Sequence, residues 1–310
     1  RRAAGRRQVR APPRAVVAGG WPMSRLRRTK AQMSQLGRQI VRVLMEDRPQ
    51  SVRHIFYRMT DPRLPEPVEK SERGYTTVQR LTVQLRRDGA IPYGWITDAT
   101  RRGFFTETWS SPADAVDQIA GFYRRSYWPT APCYVEVWCE SRSIAGVIQD
   151  ECERYAVPLY PSGGFTSHTL AWEAAQNISG EAEGRPAHIL YIGDYDPAGV
   201  LIDKKIEAAL RRHLGGHELH FHRLAVTAEQ IDIMGLPTKP AKPGDKRGGF
   251  TGGTVEAEAM PAGEMRLLLR QAIEQFVDPH ALRVMEVAEA SEREWLSGIA
   301  MAMREQEVRP

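Results

Sequence analysis

The sequence predicts a multi-domain α/β protein in which an N-terminal winged-helix domain precedes a doubly wound, Rossmann-like parallel α/β domain. Apolar residues recur at helical spacing up to about residue 90, which indicates short amphipathic helices. From residue 133 onward, short apolar strands alternate with helices, a pattern typical of a parallel sheet. The chain has 310 residues, of which 42% are hydrophobic, so it is long enough to build two ordinary cores.

Three helices and a wing are predicted for the N-terminal domain. The first helix covers 30–45, the second follows the N-cap Ser51, and the third covers 76–87. Residues 91–96 then form a short hairpin or wing. The third helix is the predicted DNA-recognition helix, and its alternative is a solvated or protein-binding face. Side chains suited to phosphates and base edges lie on its outer face: Gln79, Arg80, Gln84, Arg86 and Arg87.

A further helix over 110–128 completes this domain, which we place at 29–128, before the boundary marked by Pro129 and Pro132. The sheet domain is placed at 129–240. Its strands are predicted over 133–139, 157–160, 188–192 and 219–224, and its helices over 144–155, 167–178 and 199–214. The remainder, 241–310, contains a Gly/Lys-rich loop and helices near 262–277 and 280–304.

The basic charge of the chain is concentrated at its start. The whole sequence has 43 Lys and Arg against 38 Asp and Glu, a formal net charge of +5. Twelve of those basic residues precede the first acidic residue, Glu46; without them, 31 basic residues face 38 acidic ones, a net charge of −7. We interpret the Pro/Gly/Ala-rich stretch 1–28 as a disordered, solvated arm. A DNA-gripping arm, a natural start at Met23 and a transit peptide are the alternatives.

Cysteine usage and hydropathy indicate where the protein works. Cys133, Cys139 and Cys152 show no CxxC spacing and no histidine partners at zinc spacing, which favours a reduced protein. No run of the sequence approaches the roughly 18 apolar residues of a membrane span. We therefore expect a cytoplasmic, nucleoid-associated protein without a membrane partner.

Three carboxylates are predicted to meet at one edge of the sheet. Glu140 follows the first strand, and Asp194 and Asp196 follow the third, where ligand sites form in open α/β sheets. Clustered carboxylates repel one another unless a cation neutralises them, so Mg²⁺ is the expected cofactor. Glu136 is the competing glutamate, but it lies inside the strand rather than at its exit. The alternative for the two aspartates is that they only cap the next helix.

Characteristic strings of residues follow three of the predicted strands: Val135–Glu140, Gly163–Ser167 and Gly193–Gly199. Together they resemble the Toprim domain of the topoisomerase VI A-subunit family, which includes the meiotic double-strand-break recombinase. The D-x-D-P-x-G pattern within Gly193–Gly199 carries most of this likeness. That family places its Toprim domain after a winged-helix domain, and the predicted order here is the same. The resemblance covers roughly residues 30–240.

A tyrosine nucleophile is implied by the same resemblance. The family cleaves DNA with a tyrosine in a string like S-x-R-x-I-Y-Y, which corresponds here to Ser51–Tyr57 and assigns the attack to Tyr57. Helical spacing independently places Arg53 and Tyr57 on one flank, away from the apolar face. A tyrosine hydroxyl has a pKa near ~10, so we expect Arg53 to stabilise the phenolate or the pentavalent phosphate. A packing role is the alternative for Tyr57.

The expected function is metal-dependent cleavage of double-stranded DNA by tyrosine transesterification, as in a type IIB topoisomerase A subunit. The resemblance implies a homodimer in which the tyrosine of one protomer meets the metal site of the other. The sequence contains no ATPase motif, so an ATP-driven topoisomerase would require a separate B-type subunit. Two alternatives stay open: a Toprim endonuclease that uses activated water without a covalent intermediate, and a non-catalytic winged-helix DNA-binding protein.

Overall fold

The computed structural model describes residues 28–97, 106–164, 168–240 and 253–307 of the chain. Its strands are β1 (Tyr134–Cys139), β2 (Leu159–Pro161), β3 (Ala187–Ile192), β4 (Leu219–Ala225), β5 (Lys239–Pro240) and β6 (Gly253–Thr254). Its α-helices are α1 (Lys30–Glu46), α2 (Val52–Met59), α3 (Glu72–Arg87), α4 (Pro112–Phe122), α5 (Arg142–Arg154), α6 (His168–Ala182), α7 (Gly199–Leu214), α8 (Ala228–Met234), α9 (Ala262–Glu274) and α10 (Pro279–Glu307).

Some of the predicted features lie outside the described residues. They are the basic arm 1–28 apart from Arg28, most of the Gly/Lys-rich loop, and Phe165–Ser167 of the second family-like string.

A parallel sheet with the strand order β2-β1-β3-β4 lies between two layers of helices. Side chains of β1 alternate between the two faces, so Val135 and Val137 join the core beneath α5 and α9, whereas Tyr134 and Trp138 join the core beneath α6 and α7. Both faces are covered, which explains why β1 is buried at every position. The predicted α/β fold and the order of its strands and helices are confirmed.

Hydroxyl side chains define the starts of the N-terminal helices. Ser51 accepts a hydrogen bond from the His54 amide at the start of α2, as the sequence predicts. Ser71 accepts one from the Gly74 amide, so α3 begins at Glu72, one turn earlier than predicted. Propensity alone does not reveal this start because the Pro-rich loop before it obscures the helical pattern.

The predicted wing is wrong. Residues Tyr93–Trp95 form a 3₁₀ turn rather than a hairpin strand, and Ile96 makes a single isolated bridge with Gln50. Arg86 stabilises this turn, since its guanidinium donates to the carbonyl oxygens of Tyr93 at 2.7 Å and Ile96 at 2.6 Å. The N-terminal helices therefore end in a loop that is tied back onto α3.

The predicted helix 110–128 is shorter than expected and has a different neighbour. It covers Pro112–Phe122 as α4 and packs along α10, where Arg304 bonds Asp114 and Asp117. It thus pairs with the C-terminal helix, a contact that the sequence interpretation did not include. Among the described residues, no helix is both long enough and apolar enough to cross a membrane.

One continuous apolar core joins the N-terminal helices to the sheet. At the junction, Arg266 of α9 forms an ion pair with Asp47 and donates to the carbonyl of Pro49. Asp47 also accepts from the Gly263 amide at 2.8 Å. The loop between α1 and α2 is therefore held against the start of α9, and this contact sets where α2 lies relative to the sheet edge.

Glu136 lies in the core beneath α6 and α7 and is fully buried. Tyr134 Oη donates to its carboxylate at 3.1 Å and Trp138 Nε1 at 2.8 Å, both from the same face of β1. Burial raises the pKa of Glu136 to about 7, although the two donors act in the opposite direction. Glu136 therefore belongs to the core and takes no part in the site at the strand exit.

We expect Glu136→Gln to stabilise the protein above neutral pH. The folded protein keeps the Glu136 proton up to about pH 7, whereas the unfolded chain releases it near pH 4.5. The stability contributed by this group is therefore complete below pH 4.5 and is lost as the pH rises through 7. At pH 8 the variant should unfold with a free energy about 2 kcal/mol higher than wild type, measured by denaturant titration.

The matched control is Glu294→Gln, because Glu294 is exposed on α10. A stability difference between Glu136→Gln and wild type that stays constant from pH 5 to pH 8 would contradict this account.

Candidate metal and nucleic-acid site

Glu140 and Asp194 lie side by side at the carboxyl edge of the sheet. β1 and β3 are neighbouring strands, and Cys139 pairs with Ile192, so the two strands end at the same level of the sheet. The Glu140 amide donates to the Ile192 carbonyl at 2.9 Å, and the Asp194 amide donates to Glu140 Oε2 at 3.0 Å. The predicted convergence of these two acids is therefore found.

Asp196, the third predicted metal ligand, bonds backbone amides through one of its two carboxylate oxygens. Its Oδ1 accepts from the amides of Ala198 at 2.8 Å and Gly199 at 2.6 Å, which caps the start of α7. Gly199 is required there because a Cβ atom would lie 2.1 Å from the Asp194 carbonyl oxygen. Helix capping, the alternative interpretation, describes Asp196 but not Asp194.

The segment Gly253–Met260 brings two glutamates to the site that the sequence interpretation missed. Tyr195 and Val255 pair through two backbone hydrogen bonds of 2.8 and 2.9 Å, and Asp194 Oδ1 accepts from the Ala257 amide at 2.8 Å. Glu258 is buried beside β1, where Ser141 and Ser143 donate to its Oε1. The signal in the sequence is the alternation of buried apolar residues with glutamates over Val255–Met260.

Negative charge accumulates at this sheet edge. Burial, together with the negative charges of Glu140 and Glu258, raises the pKa of Asp194 to about 8. Burial also raises the pKa of Glu140, with the charge of Asp196 adding to the effect. These carboxylates destabilise one another's ionised forms, which is the electrostatic environment that a bound cation relieves.

The donor set fits a small magnesium site better than a cage of three carboxylates. Within the part of the chain that the structure describes, no group of three or more His, Cys, Asp or Glu side chains is arranged to hold a metal ion. Magnesium is commonly bound by one or two carboxylates together with waters and substrate phosphates. Glu140 and Asp194 suit that set, because each uses one carboxylate oxygen in a backbone hydrogen bond.

A cleft of about 610 Å³ separates the acidic sheet edge from the N-terminal helices. Glu140, Asp194 and Glu258 line one wall. Arg53 of α2 and Gln79 of α3 line the opposite wall. The fold therefore places a helix predicted to contact DNA directly across from the carboxylates predicted to hold a metal.

The five predicted DNA-contacting residues differ in their surroundings. Gln79, Arg80 and Arg87 are exposed on α3. Gln84 donates to its neighbour Asp88. Arg86 lines the cleft, but its guanidinium is engaged with the loop carbonyls and lies over the Tyr93 ring. Arg86 is therefore a structural tie of α3.

Tyr57 is more buried than its position on the helix predicts. The residue is 5% exposed, and its hydroxyl lies beside the Glu256 carboxylate without a hydrogen bond of ordinary length to any described residue. Burial raises the pKa of Tyr57, and the charge of Glu256 raises it further. The prediction that Tyr57 faces away from the core is thus wrong, because residues far along the chain cover it.

Arg53 does not bond Tyr57 directly. It forms an ion pair with Glu256 at 2.5 Å, and its guanidinium lies 5.6 Å from the centre of the Tyr75 ring. Arg53 therefore faces both the cleft and Glu256, and the cations over the Tyr57 ring are Lys70 and Lys239.

Comparison of this chain with protein-family models, with curated proteins and with solved structures finds no match.

Arg223, a residue of β4, holds the loop that carries Asp194. Its guanidinium donates to the carbonyl oxygens of Gly193 at 3.2 Å and Asp194 at 2.5 Å, and forms an ion pair with Asp203 at 2.7 Å. Both partners of the pair are largely buried. The loop that carries Asp194 is thus held by a charged group that makes several bonds at once.

We expect Arg223→Gln to lower the free energy of unfolding by about 3 kcal/mol, because Asp203 would remain buried without its countercharge. Chemical denaturation measures this loss. The control is Arg63→Gln, since Arg63 is almost fully exposed and, among the described residues, its ion pair is with nearby Asp61. Equal stability of the two variants would show that the ion pair of Arg223 is not a structural tie.

Proposed function

We propose that this protein cleaves double-stranded DNA in a magnesium-dependent reaction in the cleft between the N-terminal helices and the carboxyl edge of the sheet. The observation that carries the proposal is the set of residues that line the cleft. One cleft has Glu140 and Asp194 on one wall and Arg53 and Gln79 on the other. Metal-dependent cleavage of a phosphodiester uses a divalent cation and basic or polar groups along the backbone. The two carboxylates would bind the cation, and Arg53 and Gln79 would contact the backbone.

Each wall has its own role in this proposal. Glu140 and Asp194 hold the metal, which when bound polarises the scissile phosphate. On α3, the side chains that contact the DNA are Gln79, Arg80 and Arg87. The positive charges of the two arginines attract the DNA phosphates despite the net negative charge of the chain after its basic N-terminal arm. Arg223 keeps the Asp194 loop at the sheet edge. The resemblance of the strand-exit strings to a Toprim domain supports the same role for Glu140 and Asp194.

The resemblance assigns the attack on phosphorus to Tyr57. In that route the Tyr57 oxygen forms a phosphotyrosyl bond as the bond from phosphorus to the deoxyribose oxygen breaks. The phenol proton passes, through solvent or a nearby base, to that leaving oxygen, which departs as an alcohol. A homodimer would let the tyrosine of one protomer serve the metal site of the other, and a separate ATPase B-type subunit would drive strand passage. Arg53 would stabilise the phosphorane charge.

Hydrolysis by water is the second candidate, and a specific observation favours it. The Tyr57 hydroxyl is buried and its pKa is raised, which is the opposite of what an activated nucleophile requires. In this route the carboxylate site supplies the chemistry and Tyr57 only packs. The two routes share Glu140 and Asp194 and differ in the covalent intermediate.

Replacing the predicted metal ligand should abolish cleavage. Asp194→Asn removes the ionic ligand but keeps an acceptor for the Ala257 amide, so the fold is retained. We expect a loss of at least about 100-fold in magnesium-dependent nicking of supercoiled DNA, with unchanged DNA binding in a mobility-shift assay. Asp232→Asn, on the exposed side of α8, is the control. Full cleavage by Asp194→Asn would exclude this site.

Trapping of covalent adducts separates the two routes. Tyr57→Phe deletes a buried hydroxyl that lies beside Glu256 without a short hydrogen bond, so we expect the stability of the variant to stay within about 1 kcal/mol of wild type. Under the tyrosine route, detergent denaturation of a wild-type reaction yields DNA-linked protein, and Tyr57→Phe yields none. Unchanged cleavage by Tyr57→Phe, with no adduct from either protein, would establish hydrolysis instead. Tyr93→Phe, at an exposed tyrosine, is the control.

A further inference from the structure

A second, smaller pocket lies beside Tyr57 and is rich in cations. Its volume is about 240 Å³. The charged residues around it come from separate parts of the chain: Arg53 from α2, Lys70 and Glu72 from the start of α3, Lys239 from β5, and Glu256 after β6. The pocket is therefore lined by three cations and two carboxylates. Of the two carboxylates, Glu72 is exposed to solvent.

Glu256 is shared by two of the three cations. Its carboxylate bonds Lys239 at 2.8 Å and Arg53 at 2.5 Å. Although burial opposes ionisation of Glu256, the hydrogen bond from Lys239 and the charge of Arg53 hold its pKa below the ordinary value. Glu256 is therefore a charged carboxylate whose negative charge is already divided between two partners.

Lys70 lacks a carboxylate of its own. Its Nζ donates to the carbonyl oxygen of Pro237 at 2.5 Å and lies 5.4 Å from the centre of the Tyr57 ring. Within the described residues, no carboxylate forms an ion pair with this ammonium. Burial and the nearby ammonium of Lys239 together lower the pKa of Lys70 to about 8, although the charge of Glu256 acts in the opposite direction. Lys70 and Lys239 are thus two neighbouring cations whose repulsion Glu256 offsets only in part, and a further anion would relieve the remainder.

The arrangement suits a tetrahedral anion. Donors line the pocket from α2, from the residue before the N-cap of α3 and from β5. Arg53 and Lys239 share the Glu256 carboxylate, whereas Lys70 adds a third donor from another side. Ammonium groups bind phosphate as point charges, and a guanidinium offers two parallel donors. The N-terminal end of the 16-residue helix α3 adds partial positive charge at the same place, since Ser71 and Glu72 line the pocket.

We propose that this pocket binds a phosphoryl group, with Lys70 and Lys239 as its principal ligands and Arg53 shared with the cleavage cleft. That the phosphoryl group belongs to the DNA backbone rests on the proposed function, because Arg53 and Tyr75 line both cavities. A phosphate held here would lie against the Tyr57 ring and beside the DNA path. The pocket would then anchor the backbone next to the site of cleavage.

The first test uses inorganic phosphate as the probe and needs no DNA. Thermal unfolding is measured in phosphate and in chloride at equal ionic strength, because an anion that binds only the folded protein raises its Tm. We expect phosphate to raise the Tm of wild type and of Lys204→Gln, an exposed lysine on α7, but not that of Lys70→Gln. Lys70→Arg keeps the charge and should recover the shift.

The second test measures the affinity for a short DNA duplex as a function of salt. Loss of one lysine–phosphate contact lowers the slope of log K against log salt by about 0.9. We expect Lys70→Gln to show this change and about tenfold weaker binding at low salt, the loss of one charge-assisted hydrogen bond. Lys204→Gln should match wild type.

The outcomes separate the source of the phosphate and separate this proposal from the cleavage proposal. If Lys70→Gln loses the phosphate shift but keeps the salt slope, the pocket stands and its ligand is a free phosphoryl group. If Lys70→Gln matches wild type in both measurements, the pocket is overturned. If the salt slope of Lys70→Gln is smaller than that of wild type, but wild type never cleaves DNA, the cleavage proposal fails and the phosphate pocket remains.

Discussion

The backbone pairing between Tyr195 and Val255 holds the candidate site together. It fastens the segment after β6 to the loop that follows β3, two parts of the chain that are distant in sequence. Glu258 is thereby placed beside Asp194, and Glu256 reaches across to Arg53 on α2. Without this pairing, the sheet edge would lack its second row of carboxylates and the N-terminal helices would lose a charged contact to the sheet domain.

Charge is sorted between the two sides of the cleft. Desolvated carboxylates that raise one another's pKa form the wall at the sheet edge, and cations from α2, the start of α3 and β5 lie opposite and alongside. Each side is costly by itself, because like charges are held together away from water. Under the two proposals, a divalent cation bound on one side and a phosphate bound on the other would relieve both costs.

Tyr57 illustrates how the same surroundings constrain chemistry. Its ring is covered by Lys70 and Lys239, and its hydroxyl is enclosed near Glu256. A tyrosine that attacks phosphorus must contact a phosphate of the bound DNA. The tyrosine route therefore requires the residues that cover Tyr57 around Glu256 to move apart, for instance when a phosphate competes with Glu256 for Arg53 and Lys239. Hydrolysis requires no such opening. The structure thus links the choice of chemical route to the charges that surround one side chain.

The sequence by itself determined the α/β class, the order of strands and helices, and the meeting of Glu140 with Asp194, because apolar periodicity and strand exits are local properties of the chain. Tertiary structure decided what depends on distant partners. It made Asp196 a helix cap, replaced the wing with a turn tied to Arg86, and paired α4 with α10. It also buried Tyr57 and brought Glu258 to the site. Those outcomes follow from long-range packing and hydrogen bonding, which no window of neighbouring residues contains.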